Sequence, residues 1–239
     1  MKPVFLVLTI AISLAAGGTT MAADKASFEG FKVCAKCHDR HEEEWRKTSH
    51  AKAFDSLKPN VKAAAKEKAK LDPAKDYTQD KDCLGCHVTG YGEAGGYRVG
   101  MPAAEASVLA HVTCESCHGP GSIYRKEHGE AQERLKRQGN RTERKVLPAM
   151  GQYFDYATVC ARCHLNYQGS GWTGAKPPYT PFTPAVDGKY KFDFDKAVRD
   201  TSKAKGVHVH FKLQNIFTGD PVPPFRAELQ KDAKSPDED

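Results

Sequence analysis

The chain has 239 residues, a formal charge of +6 and 39% hydrophobic residues, with a mean hydropathy of −0.62. That length suits one domain or two small ones, yet it is short of core-forming residues unless something else supplies apolar bulk. After the first 22 residues no stretch is long and apolar enough to span a bilayer.

In chain order, residues 1–22 read as a signal peptide. Lys2 is followed by the apolar run "VFLVLTIAISLAA" and the small residues "GGTTMA", which place cleavage between Ala22 and Ala23. The run is shorter than the roughly 20 apolar residues that a membrane span needs. The mature chain, 23–239, is therefore expected to be exported and soluble. The stretch "CHDRHEEEWRKTSHAKAFDSL" reads as one helix, with Trp45, His50, Phe54 and Leu57 near helical spacing. Lys-rich "VKAAAKEKAK" and "ERLKRQGNRTERK" read as solvated helices. Near the C-terminus two patterns compete. Val207, Val209, Phe211 and Leu213 alternate like a strand, whereas Phe194, Val198, Thr201, Ala204, His208 and Phe211 form a helical stripe. The stripe favours a helix, in which His210 points about 200° away from His208, toward solvent.

All eight cysteines fall into one pattern. It occurs as "CAKCH" (Cys34, Cys37, His38), "CLGCH" (Cys83, Cys86, His87), "CESCH" (Cys114, Cys117, His118) and "CARCH" (Cys160, Cys163, His164). C-x-x-C-H is the attachment motif of c-type haem. The thiols form thioethers with the two vinyl groups, and the adjacent histidine lies under the iron as proximal ligand. Structural zinc or disulfides would use the same cysteines. Neither needs a histidine directly after the second cysteine four times out of four. Four covalent haems then supply the missing core.

Four irons have eight axial positions, and the motif histidines fill four. His41, His50, His111, His128, His208 and His210 remain, with only Met101 and Met150 as mature methionines. Bis-histidine coordination and low potentials are expected. His38 and His50 would stand about 18 Å apart along a helix at 1.5 Å per residue. Two nitrogens on one iron lie only about 4 Å apart. His50 therefore serves a different haem from His38. His128, ten residues beyond His118 and past the turn "GPG", is a candidate ligand, while His41 and His111 read as bystanders. Histidine counting alone leaves open whether all four distal positions are filled.

With these motifs, and with "SLKPNVK", "AKLDPAKDYTQDKDC", "CESCHGPG", "CHLNY" and "PYTPFTP", nearly the whole mature chain resembles the tetrahaem cytochrome c-554 family of ammonia-oxidising bacteria. The resemblance implies a mainly α fold with little β structure, its helices and loops packed around four closely spaced haems in stacked pairs. It implies three bis-histidine haems, with distal ligands at His50, His128 and His208. His208 is expected on the third haem and His50 on the fourth, though the reverse is open. The second haem, on Cys83, Cys86 and His87, would keep an open distal side walled by Thr180 and Phe182. The segment 129–145 and the acidic tail "SPDED" depart most from the family.

The family accepts electrons from hydroxylamine oxidoreductase, which implies a periplasmic carrier that delivers them to a membrane-anchored multihaem cytochrome. Haem propionates bring the oxidised protein near neutrality and make the reduced one negative, so nucleic-acid binding is not expected. The run from Arg134 to Lys145 is a possible contact for an acidic redox partner. One alternative is an enzyme reducing nitric oxide at the open haem, and another is a structural haem subunit. Pentahaem reductases use a C-x-x-C-K haem, which this chain lacks.

Overall fold

Glycine, proline and side-chain caps cut the described chain into short helices. The computed structural model describes residues 25–164, 181–202 and 209–235. In order the helices are α1 (Phe31–Ala35), α2 (Asp39–Arg46), α3 (Ala63–Lys68), α4 (Lys81–His87), α5 (Ala103–Leu109), α6 (Cys114–His118), α7 (Tyr124–Gln138), α8 (Tyr156–His164), α9 (Phe194–Arg199) and α10 (Pro224–Leu229). The one regular sheet among the described residues pairs β1 (Thr142–Glu143) in parallel with β2 (Phe217–Thr218), Thr142 opposite Phe217. The fold is thus mainly α with little β structure. Among the described residues no helix is long and apolar enough to cross a membrane.

The longest helix, α7, follows from its sequence. Tyr124, His128, Ala131 and Leu135 recur at steps of four, three and four, which lays one stripe inward. Tyr124 and Ala131 are buried. Gly139, at φ 71°, takes the left-handed position that ends the helix. The basic run from Arg134 to Lys145 is therefore only partly helical. Its charges are largely paired within the chain: Arg134 with Glu127, Arg137 with Glu133, and Lys145 with Glu143.

Three expectations are corrected. The helix read through residues 37–57 breaks after Arg46. Thr48 Oγ1 donates to Trp45 O at 2.7 Å, a local bond that competes with helix continuation. His50 then opens a separate 3-10 turn, and its carbonyl accepts from Val112 N–H at 3.2 Å. The C-terminal stripe does not form a helix through Phe211. α9 stops at Arg199, and Phe211 forms a parallel bridge to Lys234. Lys212 N–H donates to Lys234 O at 2.8 Å and Lys234 N–H to His210 O at 3.0 Å. These non-local bonds outweigh the helical spacing, although Val198 and Phe211 are both buried. In the Lys-rich segment, Lys66 is buried on α3 rather than solvated. Its Nζ donates to Lys58 O at 2.6 Å and lies over the Tyr77 ring.

The apolar cluster sits around the second motif. Cys83, Leu84 and Val88 pack there with Phe28, Leu57 and Tyr97. By contrast, α8, which carries the fourth motif, has no fully buried residue.

Candidate haem-binding site

Three of the four motifs end a helix. His87, His118 and His164 are the last residues of α4, α6 and α8, while Cys34 lies in α1 and His38 directly precedes α2. Placing Cys-x-x-Cys on one helical turn brings both thiols to one side, with the histidine following beneath them. Asp80 supports α4 by accepting from Asp82 N–H at 3.0 Å. Gly119, at φ 87°, turns the chain sharply after His118.

The helices bring cysteines from different motifs together. Cys34 lies beside Cys114, and that neighbour together with burial pushes the Cys34 thiol far up. Cys86 and Cys163 form a second such pair. Cys117 lies near Cys160, and burial pushes it up to about 12. Motif one thus adjoins motif three, motif three adjoins motif four, and motif four adjoins motif two. Cys37 is exposed at the edge of this series.

Each motif histidine has a distinct setting. His87 Nδ1–H donates to Ala53 O at 2.7 Å and lies 3.1 Å from Ser56 Oγ. This leaves Nε2 as the lone-pair nitrogen facing away, the tautomer that an iron needs. Burial lowers the pKa of His87 and keeps the ring neutral. His118 Nδ1 faces the Tyr156 hydroxyl at 3.4 Å. His164 stacks on Phe192 at 4.5 Å, and burial lowers its pKa. Burial lowers that of His38 as well.

Among the distal candidates, His50 meets His164 with ring centres 6.0 Å apart. Two imidazoles on one iron, with bonds of about 2 Å on each side, put ring centres about 6 Å apart. His128 lies close enough to His38 to feel its charge, packs on Phe217 at 4.9 Å, and has Nε2 3.0 Å from Gln152 Oε1. Burial, before any other cause, lowers its pKa. His208 lies outside the described residues. His210 Nε2 sits 2.6 Å from Val198 O, and its Nδ1 faces Arg226 Nη1 at 3.3 Å, so both nitrogens are occupied by protein. His111 Nδ1 accepts from Phe54 N–H at 3.2 Å. His41 is half-buried, not an exposed bystander: its ring packs on Phe211 at 4.4 Å and edge-on to His38 at 5.3 Å.

Thr180 lies outside the described residues. Phe182 packs against Tyr190 at 5.5 Å, with Lys68 Nζ 5.3 Å over its ring. Next to it, Thr183 Oγ1 is buried and has no hydrogen-bond partner among the described residues.

These surroundings fit covalent haem. None of the eight cysteines is joined to another in a disulfide. The histidines stand singly or in pairs, and no group of three or more Cys, His, Asp or Glu gathers for a metal ion among the described residues. That donor set suits porphyrin-held iron and not a tetrahedral thiolate zinc. Bound haem supplies reversible one-electron chemistry. Cys34, Cys37, Cys83, Cys86, Cys114, Cys117, Cys160 and Cys163 would carry the thioethers.

Sequence reasoning missed the supporting shell. Ala53 and Ser56 orient His87, Tyr156 faces His118, and Glu115 ties the third motif to the N-terminal segment. Only Glu115 had a signal, as an acidic residue between the two cysteines of a motif.

The comparisons agree with this geometry. The family model described as cytochrome c554 and c-prime matches residues 33–119. Cytochrome c-554 of Nitrosomonas europaea is 52% identical over 217 residues, covering 91% of this chain and 89% of that protein. The solved structure of the reduced state of cytochrome c554 from Nitrosomonas europaea matches with a TM-score of 0.79 at 51% identity, covering 89% of this chain and 99% of that one. The four haem motifs, the mainly α architecture and a likeness that runs nearly end to end place this chain in the cytochrome c-554 family, as a haem c protein that carries electrons.

Proposed function

We propose that this chain is a periplasmic tetrahaem carrier in ammonia oxidation. It takes electrons from hydroxylamine oxidoreductase and passes them to a membrane-anchored multihaem cytochrome that feeds the quinone pathway, after removal of residues 1–22. The observation that carries this reading is the continuous packing of α1 on α6, α6 on α8 and α8 on α4, which sets the motifs in the order one, three, four, two. Adjacent attachment points give closely spaced haems, so an electron entering at one end has a path to the other. Several irons in one chain also hold more than one electron per encounter. The likeness to cytochrome c-554 of Nitrosomonas europaea supports the pathway. Stopped-flow mixing tests it. Hydroxylamine oxidoreductase turning over hydroxylamine should reduce the oxidised protein quickly, and hydroxylamine alone slowly. Equal rates with and without the oxidoreductase would remove the reading.

We assign the axial sets from the family resemblance, and two ring neighbours support them. His50 faces His164 and His128 neighbours His38. His210 and His111 have nitrogens held by Val198, Arg226 and Phe54. His41 sits beside His38 and Phe211. The resemblance gives His208 as the third distal ligand, and the irons of His118 and His87 are without one so far. We assign it to His118, following the family resemblance, which leaves the haem of His87 five-coordinate. That count favours a second reading, reduction of nitric oxide at an open iron screened by Phe182. Turnover of nitric oxide by the reduced protein, abolished when exogenous ligand fills the position, is its test.

A further inference from the structure

His111 has a left-handed backbone, φ 77°, a conformation that costs a residue with a Cβ. Its surroundings hold it there. Thr89 Oγ1–H donates to His111 O at 2.9 Å, and Thr113 N–H donates back to Thr89 Oγ1 at 3.1 Å. Val112 N–H reaches His50 O, and Trp45 Nε1–H reaches Val112 O at 2.9 Å. Backbone strain over-determined in this way marks a position where the side chain has a task.

The task is visible one peptide away. His111 Nδ1 accepts from Phe54 N–H at 3.2 Å. The carbonyl of that same peptide unit, Ala53 O, accepts from His87 Nδ1–H at 2.7 Å. One amide group is therefore clasped between two imidazoles. Ser56 Oγ–H also donates to Ala53 O, at 2.6 Å. An amide whose N–H is engaged has a more negative carbonyl oxygen, because hydrogen bonds in a chain polarise one another. A stronger acceptor at His87 Nδ1–H pushes electron density to Nε2, the donor to iron. Partners behind a ligating histidine raise its basicity in this way. A more basic imidazole stabilises ferric over ferrous iron.

We propose that His111 is a positioning residue that tunes the haem of His87 through the Ala53–Phe54 peptide, strengthening the iron–histidine bond and lowering that haem's potential. This rests on His87 being an axial ligand, as proposed above. Nothing in the C-x-x-C-H pattern predicts it, since His111 stands outside all four motifs.

Two variants test it in the intact tetrahaem protein. His111→Gly removes the acceptor and suits the positive φ. His111→Asn tolerates the same backbone and offers a side-chain oxygen close to where Nδ1 stood. Potentiometric titration of His111→Gly should raise one of the four midpoints and leave three in place. Resonance Raman spectra of the ferrous protein should show a lower iron–histidine stretching frequency. His111→Asn should restore both. Unchanged midpoints and an unchanged stretch in His111→Gly would overturn the proposal. Equal shifts in both variants would also overturn it, because ring volume and not the hydrogen bond would then be responsible. If the native ferrous protein shows no iron–histidine stretch, five-coordination fails, and the midpoint comparison still decides the relay.

Discussion

Replacing Glu115 should weaken the fold more than any other single charge, because its carboxylate organises a buried backbone junction. Glu115 is 0% exposed. It accepts from Gly30 N–H at 2.6 Å, Gly121 N–H at 2.7 Å and Glu29 N–H at 3.1 Å. Glu29 is in turn held by Arg125, at 2.8 Å and 3.0 Å. In Glu115→Ala the two fully buried donors, Gly30 and Gly121, lose their acceptor. Each orphaned N–H costs about 1–3 kcal/mol, or about 2–6 kcal/mol together. Release of the desolvated carboxylate, whose pKa burial raises, offsets part of this. Glu115→Gln keeps the shape and one oxygen, so a single N–H meets an amide NH2 at a cost of about 1–3 kcal/mol. At about 2–4 °C per kcal/mol for a chain of this size, the Ala variant should melt lower by roughly 5–15 °C and the Gln variant by less. Soret and far-ultraviolet circular dichroism of the holoprotein would follow the melt. The pH trend has a definite sign. A folded pKa above the unfolded one gives a contribution that is full below the ordinary glutamate range and is lost as pH rises through the raised value. The gap between wild type and Glu115→Gln should therefore narrow toward alkaline pH. An Ala variant melting within about 2 °C of wild type would refute the reasoning.

Other expectations are sharper in spectroscopy. His50→Ala should turn one low-spin haem high-spin and raise its potential, and His208→Ala should do the same to a different haem; absorption and EPR spectra read both. His210→Ala should leave all spin states unchanged while losing roughly 0.5–1.5 kcal/mol of stability, because its ring bonds protein at both nitrogens. Phe182→Ala should speed nitric oxide binding to the reduced protein if the ring screens the open iron, as flash photolysis would measure.

The sequence spoke most clearly where chemistry is local. Four C-x-x-C-H motifs name the cofactor without any tertiary information. The helix used to separate His38 from His50 breaks after Arg46, and the bond from Thr48 to Trp45 O leaves no periodicity signal. The segment 209–211 was misread as helix because its partner, Lys234, lies far along the chain. Stripe spacing cannot weigh a bridge that forms only in the folded state. Lys66 looked solvated because a lysine run gives no hint that one member meets the Lys58 carbonyl and the Tyr77 ring. The pairing of motifs one with three and four with two is equally tertiary, set by packing of α1 on α6 and of α4 on α8 and invisible in spacing.

The coordination count is tested most directly by Mössbauer spectroscopy of the fully oxidised, iron-57-enriched protein, which counts every iron whatever its magnetic coupling. Three low-spin ferric haems and one high-spin ferric haem are predicted, from the sets His38 with His128, His118 with His208, His164 with His50, and His87 alone. Four low-spin irons, or fewer than four haem irons, would contradict it.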